Sequence, residues 1–134
     1  MTKIQLYQVP VASTSFVSDS YLDDIEGEIR FDFLKEGAVH RGGIRFDGIL
    51  AVKMRTERSC NVWHVKDAYD TLVEIEGSPW VEEIRADTNE RWRGTEMHHY
   101  LIYLDSSGAF EVVAEGWSII PAEPGTWRNG TAAM

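Results

Sequence analysis

Residues 97 to 117, MHHYLIYLDSSGAFEVVAEGW, hold two alternating runs on either side of Asp105-Ser106-Ser107-Gly108, which is the pattern of a β-hairpin. In the first run His99, Leu101 and Tyr103 fall on one face and His98, Tyr100, Ile102 and Leu104 on the other, so both faces are largely apolar. A strand of that kind belongs near the middle of a sheet covered on both sides, or covered on one side and capped by aromatics on the other. The return run sets Phe110, Val112 and Ala114 against Glu111, Val113 and Glu115. Gly116 then permits a bulge before Trp117-Ser118-Ile119-Ile120 extends the pairing. Asp, Ser and Gly are what the turn itself needs, with Gly108 taking positive φ.

The same two-residue period runs through Glu28 to Leu34, where Ile29, Phe31 and Phe33 oppose Glu28, Arg30 and Asp32. Lys3 to Ala12 also alternates, but Pro10 lacks a ladder donor, which makes it an edge strand or a strand end. Residues 13 to 27 read as a loop with a short turn around Tyr21-Leu22. Glu36-Gly37 and Arg41-Gly42-Gly43 read as turns, and Ile44 to Arg58 as a strand or pair of strands broken at Asp47-Gly48. The N-terminal half is expected to be an antiparallel meander.

The period changes after Cys60. At about 100° per residue, Val65, Ala68, Tyr69, Leu72 and Ile75 share a face and Asp67, Asp70 and Glu74 gather opposite, predicting a helix over about 61–76. Asn61 or Ser59 is available as its N-cap and Gly77 as its stop. Ser78-Pro79 starts a second helix, about 79–89, with Trp80, Val81, Ile84 and Thr88 on one face and Glu82 and Glu83 in its first turn. The expected fold is α+β: one antiparallel sheet of about five or six strands, with both helices packed on one face through Val65, Tyr69, Leu72, Trp80 and Ile84.

At 134 residues, with 43% hydrophobic residues and five each of Trp, Tyr and Phe, the chain has the size and bulk for a single domain. The Pro-, Gly- and Ala-rich segment 121–134 is expected to be a loose C-terminal tail, onto which only Trp127 offers a docking group. Cys60 has no internal disulfide partner, the N-terminus lacks a long apolar signal core, and no run reaches membrane-spanning length. These features predict a soluble cytoplasmic protein. Net charge is −9, and no basic patch interrupts it, which argues against a nucleic-acid partner. The acidity is uneven: residues 67–90 hold eight acids against Arg85 alone.

Candidate chemistry is sparse. Adjacent strand residues point to opposite faces, so His98 and His99 cannot chelate one ion, and no His or Cys spacing matches a metal motif. No metal and no cofactor are expected. Cys60 and His64, four residues apart, have the types of a thiol–base pair. Glu111 and Glu115, with Glu96 or Asp105, have those of paired carboxylates. Each combination is of a kind that arises by chance in a chain this rich in acids. The more contiguous signal is the acidic stripe of Asp67, Asp70 and Glu74, which lacks basic neighbours at i+4.

His99-Tyr100-Leu101-Ile102-Tyr103, Asp105 with Gly108, Phe110-Glu111-Val112-Val113-Ala114 and Trp117 together resemble small bacterial proteins of unknown or toxin-immunity type, over residues 60 to 120. The resemblance implies a non-catalytic protein that occludes a toxin. On that reading the partner is a basic protein met by Asp67, Asp70, Glu74, Glu82 and Glu83, with Asp23, Asp24 and Glu26 assisting. The alternative is a small-ligand-binding or enzymatic domain. Its pocket would lie between sheet and helices, lined by Trp63, Tyr100, Tyr103 and Trp117 with His64, His98 or His99 as the polar group. The sequence leaves the oligomeric state open.

Overall fold

The computed structural model describes residues 1–127. Among them, two antiparallel sheets dominate. The first is ordered β1 (Thr2–Gln8), β6 (Thr71–Glu76), β7 (His98–Leu104), β8 (Gly108–Ala114), β5 (Ala51–Arg55); the second is ordered β2 (Tyr21–Asp23), β3 (Glu28–Lys35), β4 (Ala38–Asp47), β9 (Gly116–Pro124). Two α-helices, α1 (Val62–Val65) and α2 (Pro79–Asp87), complete the fold. The protein is therefore mostly antiparallel β with two helices, and the single sheet of five or six strands expected from the sequence is replaced by two.

The sheets face each other through one core. Ile29, Phe31, Phe33, Ile44 and Phe46 of the second sheet meet Leu72, Tyr100, Ile102, Leu104, Phe110 and Val112 of the first. The opposite face of the first sheet carries a second core of Ala68, Val73, Ile75, Leu101, Tyr103 and Ala109, closed by Cys60, Trp63 and Val65. The two apolar faces of His98–Leu104 are thus explained: β7 is the central strand of five and is covered on both sides.

The expected hairpin forms, Leu104 pairing with Gly108 and His98 with Ala114, so Gly108 opens the return strand and the loop is Asp105 to Ser107. Gly108 has φ +105°, and a Cβ there would lie 2.0 Å from the Arg55 carbonyl oxygen. After Glu115 the chain leaves the first sheet, so Trp117 to Ile120 pair with β4 rather than extending the hairpin. The tail expected from residue 121 is paired with β4 as far as Pro124. Trp127 docks, donating Nε1–H to the Gly42 carbonyl at 2.8 Å and lying 4.6 Å from the Arg30 guanidinium. Residues 128–134 lie outside the described part.

The largest correction concerns residues 61–76. The helix there stops after Val65, and Thr71–Glu76 is β6, paired with β1 on one side and β7 on the other. Asp67 (φ 65°) and Asp70 (φ 56°) take left-handed conformations that end the helix and turn the chain. The residues that follow, Thr71, Leu72, Val73 and Ile75, are mostly β-branched, and both of their faces are buried. A strand buried on two faces has no period-2 signature, which is why its apolar positions also satisfied a helical wheel.

Arg41-Gly42-Gly43, expected as a turn, lies inside β4. A Cβ on Gly43 would sit 2.4 Å from the Ile29 carbonyl oxygen, so glycine is needed there for close approach of two strands. Tyr21–Asp23, expected as a loop turn, is a short strand. Glu36-Gly37 is the tight turn expected, with both residues at positive φ.

Candidate functional site

A cleft of about 240 Å³ opens on the helix-covered face of the first sheet, lined by Met1, Lys53, Arg55, Trp63, His64, Ser78, Pro79, Trp80, His99 and Glu111. Its floor comes from three adjacent strands. His99 projects from β7 on the same face as Leu101, and Glu111 of β8 pairs with Leu101, which sets it diagonal to His99. Lys53 of β5 is the cross-strand partner of Glu111. The first turn of α2 forms the roof, and α1 supplies Trp63 and His64 as a wall.

Local sequence dictates both helix starts. Asn61 accepts from Trp63 N–H at 2.9 Å while His64 Nδ1 accepts from Asn61 N–H at 3.0 Å, a capping box that orients the His64 ring. Ser78 caps α2, its Oγ accepting from Val81 N–H at 3.3 Å, and Pro79 occupies the first helical position.

Three buried side chains join in a line through the floor. Ser78 Oγ lies 2.7 Å from His99 Nδ1, and His99 Nε2 lies 2.8 Å from Glu111 Oε1. The residues are only 5%, 3% and 3% exposed. Burial alone would raise the Glu111 carboxyl, but the His99 hydrogen bond and the charge of Lys53 outweigh it and hold it below the ordinary carboxylate range. The line is fully satisfied when the neutral ring carries its proton on Nε2, donating to Glu111 and accepting the Ser78 hydroxyl at Nδ1. Trp80 packs edge-on against His99 at 5.0 Å, and the Lys53 ammonium lies 4.1 Å from the Trp80 ring. Burial lowers the pKa of His64, and the nearby cations Arg55, Lys3 and Lys53 add to this against the opposing Glu111.

Of the pocket residues expected from the sequence, Trp63, His64 and His99 meet here. Tyr103 faces the same side of the sheet but belongs to a neighbouring depression with Cys60, Asn61, Val62, Val65 and Lys66, its hydroxyl donating to Glu57 at 3.1 Å. Burial and Glu57 push that hydroxyl up to about 12. Tyr100 and Trp117 lie on the opposite side, in or against the core between the sheets, beside Phe46 and Tyr7. His98 also points away from the cleft, bridging Glu74 at 2.7 Å and Glu96 at 2.8 Å.

The acidic stripe does not form, because the helix that would carry it is absent. Asp67 is an exposed turn residue, Asp70 is buried and accepts from Ser13 N–H at 3.1 Å, and Glu74 sits on β6 against His98. Glu82 and Glu83 are exposed on α2. Asp24 and Glu26 are exposed in the β2–β3 turn, where Asp23 caps the loop and pairs with Arg30 at 2.9 Å.

Cys60 and His64 bond elsewhere, the thiol to the Arg55 and Thr56 carbonyls and the ring to Asn61. Glu111 is committed to His99, while Glu115 is exposed. Among the described residues no three His, Cys, Asp or Glu side chains cluster to hold a metal, and no helix is long and apolar enough to cross a membrane.

Ser78, Lys53 and Glu111 were not picked out as pocket residues from sequence. The available signal was the hairpin register: once Leu104 pairs with Gly108, Glu111 falls on the His99 face as the one charge in an otherwise apolar run. The chain matches no known family model, no curated protein and no solved structure.

Proposed function

We propose that the protein is a small-ligand-binding domain whose site is the cleft between α2 and the first sheet, and that the ligand is a small anion. The observation that carries this reading is the buried line of Ser78, His99 and Glu111 opening into a cleft of about 240 Å³. Replacing a whole buried polar pair by apolar residues of similar volume is commonly neutral or stabilising, so a buried line of this kind suits a functional site better than a packing role. Elsewhere the same sheet face is filled by Val73, Ile75, Leu101 and Ala109.

Charge selects the ligand class. In a protein of net charge −9 the cleft gathers Lys53 and Arg55 against Glu111, and the positive end of the α2 dipole adds to them. Trp63 and Trp80 give the apolar walls of a small-molecule site.

Titrating isotope-labelled protein with succinate and, separately, inorganic phosphate is expected to move the ring resonances of His64 and His99 and the indole resonance of Trp80, and to leave His98 and Trp117 in place. Saturable shifts confined to the far side of the sheet, or none at all, would refute the reading.

The occluding-protein reading keeps Glu82, Glu83, Asp67, Asp24 and Glu26 as exposed acids but loses Asp70 and Glu74 from any common face. It therefore ranks behind the cleft.

A further inference from the structure

The cleft presents a nucleophile, a base and a carboxylate in hydrogen-bonded sequence, and we infer that Ser78 is the nucleophile of an acyl-transfer site that hydrolyses small anionic esters. This rests on the ligand-binding reading of the same cleft and adds chemistry to it. Three observations converge. Ser78 Oγ is 2.7 Å from His99 Nδ1, within reach for a base that removes its proton. His99 Nε2 is held by Glu111 at 2.8 Å, which fixes the ring and stabilises the positive charge it acquires. All three side chains line the cleft, with Ser78 at the α2 end of the line.

The helix start supplies the remaining element. Pro79 has no N–H, and that of Val81 is taken by Ser78 Oγ. By the geometry of a helix start, the Trp80 N–H has no intrahelical acceptor, and it lies two residues after the nucleophile in the turn that Ser78 caps. It is the donor available to a carbonyl oxygen that gains negative charge, reinforced by the dipole of the nine-residue α2. Lys53 and Arg55 favour an ester whose acyl part bears a carboxylate, and the volume limits that acyl part to a few carbons.

The steps balance. Ser78 Oγ bonds to the acyl carbon as its proton passes to His99 Nδ1; the ester C–O bond breaks and the leaving alkoxide takes that proton. Water then attacks the acyl-serine, His99 accepts the water proton and returns it to Ser78 Oγ, and the free acid leaves. Glu111 is a positioning residue, acting through His99.

The test uses the full chain with two probes, mono-p-nitrophenyl succinate for turnover and diisopropyl fluorophosphate for covalent capture, the adduct being mapped by peptide mass analysis. The expected results are an adduct on Ser78, and hydrolysis that falls at least about 100-fold in Ser78→Ala and in His99→Asn. Glu111→Gln should lower the rate and displace its pH profile, a change that loss of packing alone would not cause. Capture on the unaltered chain needs no variant to fold, and melting curves show whether each variant does.

Succinate binding in the cleft with no adduct on Ser78, or hydrolysis that survives in a folded Ser78→Ala protein, overturns the inference and leaves the ligand-binding reading standing. No adduct together with no binding of either anion overturns both. An adduct on another residue, such as His64 or Lys53, also overturns it.

Discussion

Taking the Glu111 carboxylate out of water costs several kcal/mol, and the compensation comes from one ring and one ammonium, His99 at 2.8 Å and Lys53 across the strand. Glu111→Ala is therefore expected to destabilise the fold by about 2–4 kcal/mol, because His99 Nε2 loses its acceptor in a buried setting. His99→Leu with Glu111→Leu in the same chain should cost much less than the two single leucine changes added together, since it removes both ends of the bond at once. Urea unfolding of the four proteins measures the coupling; additive costs would show that the pair does not interact. Residue identities were plain in the sequence, as was the fact that His98 and His99 point apart. Their partners were not, because a hydrogen bond between β7 and a helix cap 21 positions away depends on where α2 lands.

At the level of elements, legibility followed the kind of signal each segment carried. The hairpin announced itself through its Asp-Ser-Ser-Gly turn between two apolar runs, the strand Glu28–Lys35 through alternation and α2 through a Ser-Pro cap, and each forms. β6 did not, since a strand buried on both faces shows a run of apolar residues with no period of its own. Leu72 is fully buried between the sheets and Val73 fully buried on the other face. Leu72→Ala and Val73→Ala are each expected to lower stability, by about 2–5 kcal/mol for the leucine. Val73→Thr is the sharper probe of strand against helix. On a helix over 61–76, position 73 would fall off the apolar face and tolerate a hydroxyl; in β6 that hydroxyl is buried among Ile75, Leu101 and Ala109, and costs at least about 1 kcal/mol. A neutral Val73→Thr would contradict the strand. Ser78→Ala removes both the α2 cap and the partner of the buried His99 Nδ1, and is expected to cost about 2–4 kcal/mol, which its urea unfolding curve measures.

For the molecule as a whole, the partition into two sheets was the feature least visible in the chain. Period-2 alternation shows which side of a strand is apolar, yet it leaves open whether β4 continues beside β5 or, as here, takes β9 as its neighbour while β5 joins the other sheet. Charge has a comparable whole-molecule effect. At −9 the chain repels itself near neutral pH, and this repulsion eases as pH falls toward the isoelectric point of about 4.8. Superimposed on that trend is His98. Burial alone would lower its pKa, but hydrogen bonds and charge from Glu74 and Glu96 reverse the effect and raise it above 6.5. A raised folded pKa means that the folded state holds the proton more tightly than the unfolded chain does. The stabilisation is fully present below pH 6.5 and is lost as pH rises through the folded value. His98→Gln keeps the self-repulsion trend nearly unchanged and deletes the titration. The stability gap between wild type and His98→Gln, from urea unfolding, should therefore be widest near pH 5.5 and close toward pH 8.5. A gap that stayed constant across that range would mean that the bridge between β6 and β7 carries no charge, a neutral His98 donating to only one of Glu74 and Glu96.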